Sequence, residues 1–269
     1  MTRSYYIIKS LRDHLPFLIL AFILLGALQT LLLTIVTTTQ LFNFVRDFIQ
    51  QLPQELQQFL GEEFIAQFSV KGAAAFGYNH PLVITFLIIV AIIFPSKHVA
   101  GEIENGTLEL IFSMPIERFS ITFSLWIVSV LAIFFVISGC WLGTFMSKLI
   151  FSQAEILPFS KILLIGINLA ALMVCINAYT FLISSYSREG SKVALQAAGI
   201  TLFFYFLNYI ATIWSVVGFL KPISIFHYYQ PQKLMMGEAN LGKNLIVLGL
   251  LTFFLMLPTI YKINRRDIP

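Results

Sequence analysis

Six long runs of residues, 15–36, 76–95, 119–147, 162–184, 193–217 and 245–261, contain none of the chain's 17 Lys and Arg or 13 Asp and Glu. An α-helix rises 1.5 Å per residue, so about 20 apolar residues cross the hydrocarbon core of a bilayer. The sixth run, 245–261, sits at the lower limit of that length. A membrane β-barrel would show short segments of alternating polarity, whereas these runs are continuously apolar, which selects helices. Composition agrees: 58% of residues are hydrophobic and 11% charged, against about 45–50% and about 25% in soluble domains. No soluble fold has interior enough to hide this surface. The chain reads as an all-α integral membrane protein, one transmembrane domain over residues 1–269 with six transmembrane helices. A soluble enzyme, a disordered chain and a disulfide scaffold are excluded. The net charge of +4 is dispersed, which argues against a nucleic-acid partner.

The first run is too long for a cleavable signal core and no A-x-A site follows it, so it reads as an uncleaved span. The second has the briefest apolar core, with Asn79, His80 and Pro81 near its start; residues 72–78 extend it outward. With both termini cytoplasmic, segments 1–14, 96–118, 185–192 and 262–269 carry ten basic residues, and 37–75, 148–161 and 218–244 carry seven over a longer stretch. That bias follows the positive-inside rule and supports cytoplasmic termini in a multi-pass protein, expected in a bacterial-type inner membrane.

Three connecting segments have character of their own. Residues 3–14 mix Arg3, Lys9 and Arg12 with Tyr5, Tyr6, Ile7 and Ile8, the composition of an interfacial helix. In 41–68, within an extracytoplasmic insertion 37–75, Leu41, Val45, Phe48, Leu52, Leu56, Phe59 and Phe64 recur at roughly helical spacing around Pro53. This predicts two short amphipathic helices meeting at a bend. In 218–244, Tyr228 and Tyr229 suit the membrane–water boundary.

The cytoplasmic loop 96–118 carries the chemistry. Residues 101–118 read GEIENGTLELIFSMPIER. Asn105-Gly106 is a turn signal. Thr107 suits a helix N-cap, with Glu109 in the first turn, where the dipole favours a negative charge. Leu108, Ile111 and Phe112 can share one face of that helix, and Pro115 leads toward the third span. A loop both this charged and this apolar suits docking on a soluble partner.

The pattern E-x-E-x-G-T-L-E-L-x-x-S-x-P-x-x-R, formed by Glu102, Glu104, Gly106, Thr107, Leu108, Glu109, Leu110, Ser113, Pro115 and Arg118, resembles the signature loop of permease subunits of ABC type-two transporters. GYNHP at 77–81, FHYYQP at 226–231 and INRRDIP at 263–269 are supporting matches. Ile103 departs from the family, whose members often carry a charged residue there. The resemblance implies that this loop holds a coupling helix resting on a separate cytoplasmic ABC ATPase. Glu102, Glu104, Gly106, Thr107, Leu108, Glu109, Pro115 and Arg118 would then be partner-coupling residues. It further implies a dimer with a second permease copy, ATP and Mg²⁺ held by the partner rather than this chain, and export rather than import, since no importer-type E-A-A loop is present.

Absences point the same way. Residues 237–244, GEANLGKN, approach a phosphate loop, but Asn244 stands where a magnesium-binding hydroxyl is needed. No H-E-x-x-H occurs, and no ionisable Asp, Glu, Lys or Arg lies within a span to couple transport to protons. Catalytic, cofactor and metal residues are therefore not expected in this chain. The polar residues inside spans, Gln29, Asn168, Asn177, Gln196 and Asn208, suit helix–helix hydrogen bonds. Gln29, Asn177 and Asn208 are also candidates for a substrate path. The competing class is a membrane-embedded lipid-modifying enzyme with 101–118 as its active loop, and a third is a structural subunit that recruits a partner and moves nothing.

Overall fold

The computed structural model of the chain describes residues 3–38, 40–54, 56, 69–106, 118–151 and 157–265. Among these residues there are helices and turns and no strand. Six helical stretches are long and apolar enough to cross a membrane: Ile8–Thr38, Val70–Glu104, Phe119–Ile150, Phe159–Tyr186, Gly190–Ile213 and Leu241–Asn264.

The first helix, α1 (Arg3–Thr38), runs unbroken through Pro16. At 36 residues it is about 54 Å long, well beyond the ~30 Å hydrocarbon core. The basic stretch 3–14 is therefore its opening turns, not a separate helix lying on the surface. A short amphipathic helix, α2 (Gln40–Gln51), follows and stops before Pro53; it buries Ile49 and exposes Phe44 and Phe48. The second half of the expected pair, 57–68, lies outside the described residues.

The second span is broken near its start. α3 (Val70–Asn79) ends at His80, and α4 (Pro81–Pro95) begins on a proline that has no N–H to continue the helix. His80 is extended, as the residue before proline prefers, and its Nδ1 accepts from the Leu82 N–H at 3.3 Å. At the other end the span loosens into a π turn, Ser96–Gly101. The cause is a side chain from a neighbouring helix. The Ser184 hydroxyl donates to the Pro95 carbonyl at 2.6 Å and accepts from the Ala100 N–H at 3.0 Å. It is wedged into the hydrogen-bond ladder at that point.

The remaining helices are α5 (Arg118–Ile150), α6 (Phe159–Tyr186), α7 (Gly190–Ile213), α8 (Pro231–Met236) and α9 (Leu241–Asn264). The fifth span was expected to reach 217, but α7 ends at Ile213. Ser215–Ile223 and Ile225–Tyr228 are 3₁₀ turns. Residues 214–217 are as apolar as the helix before them, so hydropathy alone does not register its end.

α1 and α5 pack backbone to backbone. A Cβ on Gly139 or Gly143 would collide with the carbonyl oxygens of Phe22 and Gly26, and one on Gly26 would lie 2.8 Å from the Gly139 carbonyl oxygen. The Thr30 hydroxyl reaches the carbonyls of both Gly26 (3.0 Å) and Gly143 (3.2 Å). Small residues at four-residue spacing let spanning helices approach this closely. α6 is the central helix. Asn177 donates to the Ala91 carbonyl at 2.7 Å, and Asn168 to the Tyr228 carbonyl at 3.0 Å. The 214–240 segment is tied down by Ser224 to the Phe204 carbonyl (2.6 Å), Tyr229 to the Tyr78 carbonyl (2.9 Å) and Lys161 to the Met235 carbonyl (2.9 Å).

Candidate functional site

The segment that carries the acidic motif follows the π turn. Glu102–Glu104 form one further helical turn, and Asn105-Gly106 then make a turn with Gly106 at φ 67°. That left-handed conformation is the reason for glycine here. Thr107, Leu108, Glu109 and Pro115 lie outside the described residues, as does the side chain of Arg118, whose backbone opens α5. The expected coupling helix therefore falls in the part that is not described.

The two described carboxylates each reach another element. Glu104 Oε2 accepts from the Gly190 N–H at 2.9 Å. Gly190 is the first residue of α7, and the preceding Glu189 makes no capping bond of its own; its carboxylate is held by Lys192 at 2.6 Å. Glu104 thus supplies, from across the structure, the anion that a helix N-terminus favours. The approach needs glycine at 190, because a Cβ there would sit 2.7 Å from the Ser96 carbonyl oxygen in the π turn. Glu102 is half-buried, 3.9 Å from His98 Nδ1 on the preceding turn. His98 Nε2 meets His14 Nε2 of α1 at 3.1 Å, and the His14 ring packs edge-on against Phe94, 4.9 Å between centroids. The acidic turn is thereby bonded to α7 through Glu104, and Glu102 places it beside the His98–His14 contact with α1.

Beside these contacts a cavity of about 850 Å³ opens between α1, α4, the π turn and α7. Asp13, Lys97, Glu102 and Glu104 line its charged end, and the rest of the wall is apolar, formed by Ile88, Ile92, Ala198 and the exposed Leu202. A charged end beside an apolar wall suits an amphipathic guest. The first part of α1 and the last turn of α9 both reach this end of the bundle: His14 meets His98, and Lys262 lies 5.1 Å from the Tyr186 ring that closes α6.

The three substrate-path candidates separate. Gln29 is buried, donates to the Ala74 carbonyl at 3.1 Å and pins α1 to α3. Asn177 pins α6 to α4. Neither lines this cavity or the two others described. Asn208 lines a smaller, polar cavity of about 270 Å³ at the opposite end, together with Lys221 and His227. A third, mostly apolar groove of about 550 Å³ runs between α5, α6 and α9. The near phosphate loop at 237–244 has a different use. Gly237 ends α8 with φ 85°, and the Asn240 side chain caps α9 by accepting from the Lys243 N–H at 3.0 Å.

Sequence reasoning missed His14, His98, Ser184 and Gly190. The spacing of His98 and Glu102, one helical turn apart, was a readable signal. The rest depend on contacts between residues more than 80 positions apart, which no local pattern reveals. No group of three His, Cys, Asp or Glu able to hold a metal occurs among the described residues.

Fold and site together define a polytopic α-helical membrane protein in which the described acidic turn is bonded to its own bundle through Glu104. A model of the family described as ABC-2 family transporter protein matches residues 7–268, and the chain belongs to that family. Membership fits a permease subunit, the membrane transport component of an ABC transporter, and implies association with an ABC ATPase subunit. No curated protein and no solved structure gives a match.

Proposed function

We propose that the chain is the permease of an ATP-driven exporter, with loop 101–118 docking on a separate ATPase that holds ATP and Mg²⁺. The observation that carries this reading is the placement of the acidic turn: Glu104 bonds the N-terminus of α7, and Glu102 lies 3.9 Å from His98, which meets His14 of α1. Those two helices bound the 850 Å³ cavity. A partner that moves the loop therefore moves two walls of the cavity together, a rigid-body gate. The charged end of the cavity, where Asp13, His14, Lys97 and Glu102 gather, is the cytoplasmic end on the positive-inside reading. Its apolar wall supports an amphipathic cargo. Two copies of the chain would pair with two ATPases.

The test is purification of the tagged chain from its host in mild detergent, followed by reconstitution with the ATPase that comes along. Neutralising Glu102, Glu104 and Glu109 together is expected to release that ATPase. Glu104→Ala alone is expected to leave it bound and to reduce cargo-stimulated ATP hydrolysis about tenfold, a loss of about 1.4 kcal/mol of coupling. A folded chain that purifies alone and turns over lipid would overturn the proposal in favour of a membrane-embedded enzyme. A bound ATPase whose hydrolysis never responds to cargo would reduce the chain to a recruiting subunit.

A further inference from the structure

The 550 Å³ groove on the flank of the bundle shares no helix with the large cavity. Its walls are α5 and α9, and α6 forms its floor. The lining positions run from Phe119 to Phe134 along α5 and from Leu245 to Ile260 along α9. At 1.5 Å per residue each stretch is about 22 Å long, most of the ~30 Å hydrocarbon core. Large side chains border the groove and small ones leave it open. Phe119, Phe123 and Phe253 are exposed, whereas Ala170, Ala171 and Gly249 contribute almost no side chain. A Cβ on Gly249 would meet nothing within 4 Å. Glycine inside a helix costs about 0.5–1 kcal/mol relative to alanine. At Gly143 the close approach of α1 requires it. At Gly249 no neighbouring helix does, and what the missing side chain leaves is room in the groove.

The groove offers a guest no hydrogen bond. No charged residue lines it, and its polar side chains are Thr252 and Trp126. The Thr252 hydroxyl donates to the Leu248 carbonyl at 2.8 Å, and the Trp126 indole nitrogen is buried. We infer that one acyl chain of a membrane phospholipid lies in this groove, straightened along the bundle. Size decides against a protein occupant. A helix is about 10–12 Å across, and over about 22 Å it would fill on the order of 2,000 Å³, several times the 550 Å³ present. It would rest on the phenylalanine rim and leave the space beneath empty. A methylene takes up about the room of a water molecule, about 30 Å³, so the groove holds roughly 18 of them, one long acyl chain. Lipid tails are as apolar as the groove, so contact rather than the hydrophobic effect holds the chain. Three helices surround it in place of mobile neighbours, and an empty groove would forfeit those dispersion contacts. The site is independent of the coupling loop and of any cargo, and the proposal stands whatever that loop meets.

The experiment uses the full-length chain in liposomes of phosphatidylcholine with brominated acyl chains, because bromine quenches an indole that it touches. The chain has three tryptophans, and Trp141→Phe with Trp214→Phe leaves Trp126 as the reporter. Its fluorescence is expected to be strongly quenched. Gly249→Leu and, separately, Ala171→Leu place a side chain in the groove, and each should reduce the quenching about twofold or more. The two substitutions sit on different helices, so either alone suffices for the test. Gly199→Leu on α7, where a Cβ also meets open space, should leave the quenching unchanged. Equal quenching in all of these variants would show that lipid reaches Trp126 only from the outer surface, which overturns the proposal. An unquenched Trp126 overturns it as well, because a second copy or another protein then covers this flank.

Discussion

Single side chains hold the ends of this bundle in place, and two of them give clear tests. Ser184 is buried and serves both the Pro95 carbonyl and the Ala100 N–H. Ser184→Ala would leave both backbone groups without that partner in apolar surroundings, at a cost of about 1–3 kcal/mol. Ser138 is half-buried and its hydroxyl donates to the Phe135 carbonyl of its own helix, so Ser138→Ala should be near neutral. Unfolding midpoints in detergent compare the two, and equal midpoints would show that the π turn does not depend on the wedge. The second test is His227, whose pKa is lowered by burial and by Lys221, Lys243 and Lys233 around it. A lowered folded value means that the unfolded chain takes up the proton more readily. The histidine's contribution is therefore intact above about 6.5 and is lost as pH falls through 6.5 toward the folded value. Wild type should lose stability relative to His227→Gln as pH falls below about 6.5; parallel curves would show that the lysines exert no such field.

At the scale of elements, the α1–α5 seam has no room for side chains. Gly143→Val places branched carbons against the Gly26 carbonyl, and forcing them in costs about 1–3 kcal/mol or separates the helices outright. Gly249 of α9 has open space around it, so Gly249→Val is the matched control, and a loss of folded protein confined to Gly143→Val is the expected outcome. This seam also shows what the sequence could and could not tell. Gly139 and Gly143 form a readable small-residue pair, but nothing local names Gly26 as the residue they meet. The six spans were legible because transfer free energy is summed residue by residue. The broken second span was legible in part, because Pro81 acts on its immediate neighbours. The end of α7 at Ile213 was not, since Trp214 and Val216 are as apolar as the helix itself. Glu104 could be singled out as a loop carboxylate, while its bond to Gly190 arises only once α4 and α7 lie side by side.

For the whole molecule, the informative feature is how little of α7 the single chain covers. Among its described side chains only Val193, Ala197, Thr201 and Ala211 are buried. Leu195, Leu202, Phe203, Phe206 and Ile213 are exposed. α7 also walls the large cavity, and Leu202 is both exposed and part of that wall. Pairing two copies through α7 would bring their cavities together across the seam and make one enclosed space, as the proposed transport of an amphipathic cargo requires. Lipid would satisfy the same apolar face equally well, so solvent exposure alone does not choose between them. Cross-linking does. The native Cys140 and Cys175 are buried, so a single introduced thiol reports on its own position. Leu202 is 55% exposed and Phe253 on α9 57% exposed, which makes them equivalent unless a second copy covers one of them. In native membranes Leu202→Cys is expected to give a disulfide-linked dimer on mild oxidation, and Phe253→Cys to remain monomeric. Cross-linking at Phe253 alone would move the interface to α9 and leave the large cavity of each copy facing lipid by itself.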